Sequence, residues 1–342
     1  MKFIRTLLLL VIAATSTSGC YILQATKGQL SLMTHREPIA KVIANPATTP
    51  QLKSRLEYVQ AAREFASHEL RLPDNKSYRS YVDLKRKYVV WNVFAAPEFS
   101  VSPMQWCFPV AGCVVYRGYF KEEAAHAYAD KLRSRGLDVA VSGAPAYSTL
   151  GHFNDPVLSS MMRWSDAQMA STLFHELAHQ VVYVKGDSAF NEAFATVVAD
   201  EGIRRWVKRN AREEDWYAWQ LQEQRGNVIS DLLLHAREQL YELYATRRPV
   251  EEMREEKQRI LDGLKAEYAT LKTAWNGYAG YDGWFNRPLN NADFIAVATY
   301  QKCVPAFEQL LHDEGDDLPR FYFAVKTLAH QDSVKRRSFC NK

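Results

Sequence analysis

The chain has 342 residues, of which 47% are hydrophobic and 24% charged, with a formal net charge of +4. That length can bury a sizeable core as one elaborated domain or two, and the near-neutral balance excludes the broad basic field by which nucleic-acid-binding proteins and surface-bound membrane proteins meet phosphate. No internal repeat or low-complexity segment is present.

In residues 1–19, Lys2 and Arg5 precede an apolar run over residues 7–14 and small residues ending at Gly19-Cys20, a secretory signal too short to be a spanning helix. It resembles the lipoprotein signal of bacterial envelopes, in which the cysteine after the cleavage site is lipidated, so Cys20 is the expected attachment point. Such an anchor tethers a protein to a membrane without a transmembrane span. Loss of the leader removes Lys2 and Arg5, lowering the charge from +4 to +2. The remaining four cysteines, Cys107, Cys113, Cys303 and Cys340, suit an oxidising compartment. Cys107 and Cys113 flank a turn short enough for them to pair, which leaves Cys303 for Cys340 among three possible connectivities.

Residues 20–105 form an N-terminal helical region, with Leu52, Leu56, Val59, Ala62, Phe65 and Ala66 as a helical stripe. Tyr88 to Phe94 carries the branched and aromatic residues of a strand. Between Trp106 and Asp155 the pattern is of short strands and one helix: a strand from Val114 to Phe120, an amphipathic helix over residues 121–135 closed by Gly136, a strand over residues 138–141, and a further strand over residues 146–151. Ser148 and Thr149, just before the chemically distinctive segment, are placed to form an edge where an extended peptide adds as a further strand.

That distinctive segment begins with Ser165 and Gln168, a capping box opening a helix striped by Met169, Leu173, Leu177, Val181 and Val184. Lys185-Gly186-Asp187 is the turn expected to end it. The helix carries His175-Glu176-Leu177-Ala178-His179, and the next helix carries Asn191-Glu192. Positions i and i+4 share a helix face, so His175 and His179 can offer two imidazole nitrogens to one ion with Glu176 beside them. Glu192 is the candidate third ligand, because it and His179 both lie roughly 7 Å from the bend at about 1.5 Å per residue. Glu201 falls on the opposite helix face and Asp200 two turns further from the bend, both poorer fits. With Zn²⁺ held by His175, His179 and Glu192 and one position open to water, Glu176 is the expected general base for attack on a carbonyl. Tyr278, Tyr281, Tyr300 and His235 are available donors to a developing oxyanion, with Tyr281 and Tyr278 ranked first because they stand in the glycine- and aromatic-rich loop over residues 277–285. Two long amphipathic helices broken near Arg248-Pro249 precede that loop, and helices over residues 293–311 and 317–328 follow it.

His175-Glu176-Leu177-Ala178-His179-Gln180 with Phe190-Asn191-Glu192-Ala193-Phe194-Ala195 resembles the gluzincin type of metallopeptidase, and more closely a bacterial family of predicted aminopeptidases. Trp106-Cys107-Phe108-Pro109-Val110-Ala111-Gly112-Cys113, Tyr116-Arg117-Gly118-Tyr119-Phe120, Ala146-Tyr147-Ser148-Thr149-Leu150-Gly151, Asn290-Asn291-Ala292 and the lipoprotein start extend the resemblance over nearly the whole chain. It implies zinc on His175, His179 and Glu192, Glu176 as catalytic base and a peptide substrate. The glutamate stands nearer the second histidine than in better known gluzincins, Thr196 occupies the place of an aspartate that orients a ligand histidine, with Asp200 as substitute, and the Gly-x-Met-Glu-Asn exopeptidase motif is absent. Asp155 or Asp282 would then anchor a substrate's α-amine. Tyr21, in place of the aspartate of inner-membrane retention signals, points by resemblance to the outer membrane.

The expected fold is therefore α+β and mainly α: a signal in residues 1–19, a helical region in 20–105, a gluzincin-like catalytic core with a small edge sheet in 106–210, and a C-terminal helical region in 211–342. The expected function is zinc-dependent hydrolysis of short peptides by a lipid-anchored, periplasm-facing aminopeptidase. An envelope endopeptidase and a non-catalytic lipoprotein whose zinc only joins two helices are the competing readings.

Overall fold

In the computed structural model, residues 21, 23–108, 112–210, 213–295 and 303–341 are described. The leader, Cys20 and Tyr300 lie outside them. The chain begins with α1 (residues 23–34), β1 (Glu37–Pro38) and α2 (Ile39–Ala44). Thr49 then caps α3 (Pro50–His68) by accepting from the Leu52 amide, with Pro50 in the first turn, where its missing N–H costs nothing. β2 (Ser80–Val82), β3 (Val90–Pro97), β4 (Trp106–Phe108), β5 (Gly112–Val114), β6 (Arg117–Tyr119), α4 (Glu122–Arg133), β7 (Leu137–Ala144) and β8 (Val157–Leu158) follow. Gly136, at φ 76°, makes the left-handed turn from α4 into β7.

Three small sheets result among the described residues. β3 is the centre of an antiparallel sheet ordered β6-β3-β7, in which Val93 faces Arg117 on one side and Val141 on the other. β1, β2 and β8 form the second. β4 and β5 form a hairpin that sets Cys107 opposite Cys113, and the two are disulfide-bonded. Because β3 precedes residue 106 while β6 and β7 follow it, the sheet joins the expected N-terminal region to the expected core. The expected strand from Val114 to Phe120 is divided between β5 and β6. Residues 146–151 are not a strand: β7 ends at Ala144 and the chain continues without a ladder.

After a 3₁₀ turn (Ser159–Arg163) come α5 (Asp166–Ala178) and α6 (Ser188–Asn210). Phe174, Phe190, Phe194, Leu177 and Val198 are fully buried and join Leu56, Val59 and Ala66 of α3 in the main core. α7 (Glu213–Tyr244) and α8 (Val250–Ala274) break at Arg248-Pro249 as expected, and α9 (Asp282–Phe285) lies against them. Leu233, Leu240, Leu264, Tyr268, Phe285 and Phe294 form a second, separate apolar cluster there. α10 (Val304–Asp313), α11 (Leu318–Ala329) and α12 (Ser333–Cys340) return to the main core through Phe307, Phe321 and Val325, and Cys303 is disulfide-bonded to Cys340. The expected helix over residues 293–311 is a 3₁₀ turn (Asn291–Phe294) and then α10, with residues 296–302 outside the described set. The architecture is α+β and mainly helical, and among the described residues no helix is long and apolar enough to cross a membrane.

Candidate metal centre

α5 starts where the capping box requires: Ser165 Oγ accepts from the Gln168 amide at 3.2 Å, and the Gln168 side chain accepts from the Ser165 amide at 3.1 Å. It ends sooner than its apolar stripe implies, at Ala178, with His179 as its C-cap. Val181 and Val184 lie beyond it, because the following segment bonds to α6 instead of continuing the helix. The Asn191 side chain accepts from the Val184 amide at 2.7 Å and donates to the Val184 carbonyl at 2.8 Å, a two-point clamp by an amide only 1% exposed. The next residue on α6 is Glu192. Gly202 lets the two helices approach closely, since a Cβ there would lie 2.7 Å from the Phe174 ring.

This packing brings three donor atoms together. His175 Nε2 lies 3.2 Å from Glu192 Oε2 and 3.1 Å from His179 Nε2, and His179 Nε2 lies 3.7 Å from Glu192 Oε2. All fall within 4.8 Å of one another, a set able to hold a metal ion. Tetrahedral ligands about 2.0–2.1 Å from zinc stand roughly 3.3 Å apart, so the spacing fits such an ion without rearrangement. The electrostatics agree: burial works to raise the Glu192 carboxyl, yet hydrogen bonds from His175 and His179 outweigh it and hold the group down at about 2. Burial works against a charged His175, but the Glu192 hydrogen bond and the nearby Glu176, Glu192 and Asp200 carboxylates leave its pKa raised. The cluster is thus an anionic oxygen facing two imidazoles, in a place that favours positive charge.

The three side chains and Glu176 line one cavity of about 700 Å³. Its opposite wall is one face of the β6-β3-β7 sheet and its continuation: Val90 and Asn92, Tyr116, Gly118 and Phe120, then Ala144, Ala146, Ser148 and Leu150. These positions alternate, which is the two-residue period of extended chain. Tyr147 and Tyr183 complete the aromatic lining, Tyr183 with its ring edge-on to His179 at 6.1 Å between centroids. The Tyr116 hydroxyl is pushed up first by burial and then by Tyr21, Tyr183 and Glu192. Tyr116, Tyr147, Tyr183 and Asn92 are the site residues that reading the sequence missed. The alternation at 116, 118 and 120 was the available signal for Tyr116, and the four-residue step from His179 was the one for Tyr183.

Other expected residues stand elsewhere. Tyr278 and Tyr281 do not line the cavity: they pack on each other at 6.1 Å and on Trp275 at 6.3 and 6.2 Å, with the Arg225 guanidinium 4.1 Å over Tyr278. His235 is within hydrogen-bond distance of Gln239 on an exposed helix face. Ser148 and Thr149 form no edge strand. Their hydroxyls and the Thr149 amide donate to Asp155, whose carboxylate is thereby committed to shaping the loop and not left for an α-amine. Asp282 is held by Lys272 and Tyr268, each at 2.6 Å. Glu201 is bound by Arg204 and Arg205, and Asp200 faces a different cavity with Glu223 and Glu308, so neither competes with Glu192.

No curated protein and no solved structure is detectably similar to the chain. One family does match, over residues 20–339, and those limits include the metal cluster, the sheet wall and the Cys107–Cys113 disulfide. The chain belongs to the family described as "Putative aminopeptidase".

Proposed function

We propose that this protein is a zinc-dependent aminopeptidase of gluzincin type, with His175, His179 and Glu192 as metal ligands and Glu176 as general base. The observation that carries the reading is the convergence of three donor atoms within 4.8 Å on a cavity that also holds a second acid, Glu176, outside the ligand set. The family description supports peptide hydrolysis as the reaction. Zinc in this N₂O set supplies Lewis acidity and brings the pKa of a water down to about 7.

The remaining work falls to the chain. Glu176 follows ligand His175 directly, so its carboxylate lines the cavity beside the ligand set without belonging to it. Such a carboxylate accepts a proton from water as the oxygen attacks the peptide carbonyl, and returns it to the departing amine nitrogen. Tyr116 and Tyr183 are phenol donors at the cavity, suited to a negative carbonyl oxygen. The apolar wall of Val90, Gly118, Ala144 and Ala146 excludes water from one side of the substrate. A divalent cation would be held by the Glu192 carboxylate and the two imidazoles, so metal affinity is expected to fall as the pH is lowered and protons compete for the same atoms.

The sequence start supports export, with lipid attachment at Cys20 and a periplasm-facing, outer-membrane position as part of the same proposal. The test is a Glu176→Gln protein loaded with zinc. It is expected to keep one zinc per chain and lose about 10²–10⁴-fold in peptide turnover. Wild-type turnover by the zinc-loaded variant would remove Glu176 from the chemistry, and a wild-type chain that binds no zinc would remove the metal.

A further inference from the structure

The wall of the cavity that none of the chemistry above uses is built by the first helix. α1 runs along β6, the outer strand of the β6-β3-β7 sheet, whose edge would otherwise present unpaired backbone groups. Gln24 occupies that edge: its Nε2 donates to the Gly118 carbonyl at 3.2 Å, and its Oε1 accepts from the Phe120 amide at 3.2 Å, as a paired strand would do. Gly28 permits the approach, since a Cβ there would lie 2.1 Å from the Phe120 ring. Leu32, one turn on, is 4% exposed within the main core. With the helix fixed by these three residues, Tyr21 and Ala25 are left facing the metal cavity. Tyr21 is itself braced, with the Arg117 guanidinium 4.1 Å over its ring and the Tyr119 ring edge-on at 5.7 Å.

Among the described residues lining the cavity, the only carboxylates are Glu176 and Glu192, both engaged in the proposed chemistry. No third acid is left there to pair with an ammonium group, and Asp155 and Asp282 are committed elsewhere. Selection of a free amino terminus by an ion pair with a third acid is therefore not what this lining offers, and the shape of the cavity's end is the feature left to supply it. We propose that α1 is the end stop of the substrate cavity: Gln24 and Gly28 lock it on the sheet edge so that Tyr21 and Ala25 meet the substrate's first residue and confine hydrolysis to the amino-terminal end of a peptide. This rests on the peptidase reading above and adds the element that would make it an exopeptidase.

The experiment compares zinc-loaded full-length chains on one hexapeptide with a free amino terminus and on its N-acetylated form. Three proteins are measured: the wild type, Tyr21→Ala/Gln24→Ala, which shortens the wall and frees the helix, and Gly28→Val, which displaces the same helix through Phe120. The wild type is expected to cleave the free peptide and spare the blocked one, and each variant is expected to raise the ratio of blocked to free turnover at least about tenfold, an order-of-magnitude figure for a barrier reduced by one or two contacts. An unchanged ratio in both variants overturns the end stop, as does a wild type that cleaves both forms equally. Absence of turnover of either peptide by the wild type is a separate result that overturns the peptidase reading itself.

Discussion

The metal cavity and the α7-α8 hairpin are both rich in tyrosine and charge, yet they use these groups in opposite ways. In and around the hairpin three acids are closed off by partners: Asp282 takes Lys272 and the Tyr268 hydroxyl, Asp138 takes Lys257 at 2.6 Å, and Asp293 takes Arg287. Its aromatics stack on one another, Tyr268 on Phe285 at 3.9 Å. At the cavity, two imidazoles and a carboxylate bring three coordinating atoms within 4.8 Å of one another, and the buried His179 Nδ1 has no hydrogen-bond partner among the described residues. Closed pairs satisfy the fold, whereas imidazole and carboxylate atoms converging on one point are also a set that can take up a cation. Pairing, more than residue type, separates the region that acts from the region that supports.

Removing a member from each side breaks the comparison most sharply. His179→Ala should abolish stoichiometric zinc binding and reduce peptide turnover to background, measured by metal analysis and a peptide assay on the same sample. Asp282→Asn, which opens a closed pair in the hairpin, should leave zinc content at the wild-type level. Equal loss of zinc in both proteins would mean that the cluster depends on global integrity and not on its own donor atoms.

A smaller effect is expected from Asn191, which supports the site without being one of its three donors. Asn191→Ala removes both bonds to Val184 and leaves that amide and carbonyl without their partners, a cost of about 1–3 kcal/mol per buried group left unmade. Because the clamp fixes the chain between His179 and Glu192, zinc affinity should fall about 10–100-fold, as for other groups that orient ligands. Chelator competition measures the affinity and thermal unfolding the stability. A stability loss with unaltered affinity would assign Asn191 to folding alone.

Asn191 also explains how far the sequence could be read. Signals confined to a few neighbouring residues were legible: the Ser165-Gln168 cap, Gly136 closing α4, the break at Pro249, the helix over residues 317–328, and the His175, His179 and Glu192 set. What failed was decided by contacts distant in sequence or by competition between partners. Val181 and Val184 continue the stripe of α5, but the Asn191 amide captures the Val184 backbone and the helix stops. Thr149 lies in a strand-like run, yet its amide donates to Asp155 at 2.8 Å in place of a ladder partner. Likewise β3 was legible as a strand, whereas its pairing with β6 and β7 across the expected boundary is a property of the folded sheet.

Asp200 sharpens the comparison from the far side of α6. It lines a second cavity with Glu223 and Glu308, and its carboxyl is held up at about 7, first by burial and then by those two acids, with His175 opposing. Its folded value lies above the ordinary 3.8, so the folded state holds the proton more tightly and stability declines as pH rises from about 4 to 7. Asp200→Asn should raise the melting temperature by a few degrees at about pH 8 and leave it unchanged below about pH 4. A melting temperature shifted equally at both pH values would show that the carboxylate's charge is not what the fold resists.

The smallest effect is expected at the two tyrosines of the glycine-rich loop. Tyr278 and Tyr281 look like donors in the sequence because glycine and aromatics surround them, but their rings are engaged with Trp275 and Arg225, away from the cavity. Replacing either hydroxyl with hydrogen keeps the ring, and with it the stacking and the cation–π contact, which contribute about 0.5–2 kcal/mol. Tyr278→Phe and Tyr281→Phe should therefore leave kcat and KM within about twofold of wild type, well below the roughly 10²-fold loss that follows removal of an oxyanion donor. Tyr116→Phe and Tyr183→Phe provide the contrast, since their hydroxyls belong to the cavity that holds Glu192. If the loop variants lost kcat while the cavity variants kept it, the loop would have to close over the site during turnover. The distinction between acting and supporting regions would then be a property of one conformation and not of the molecule.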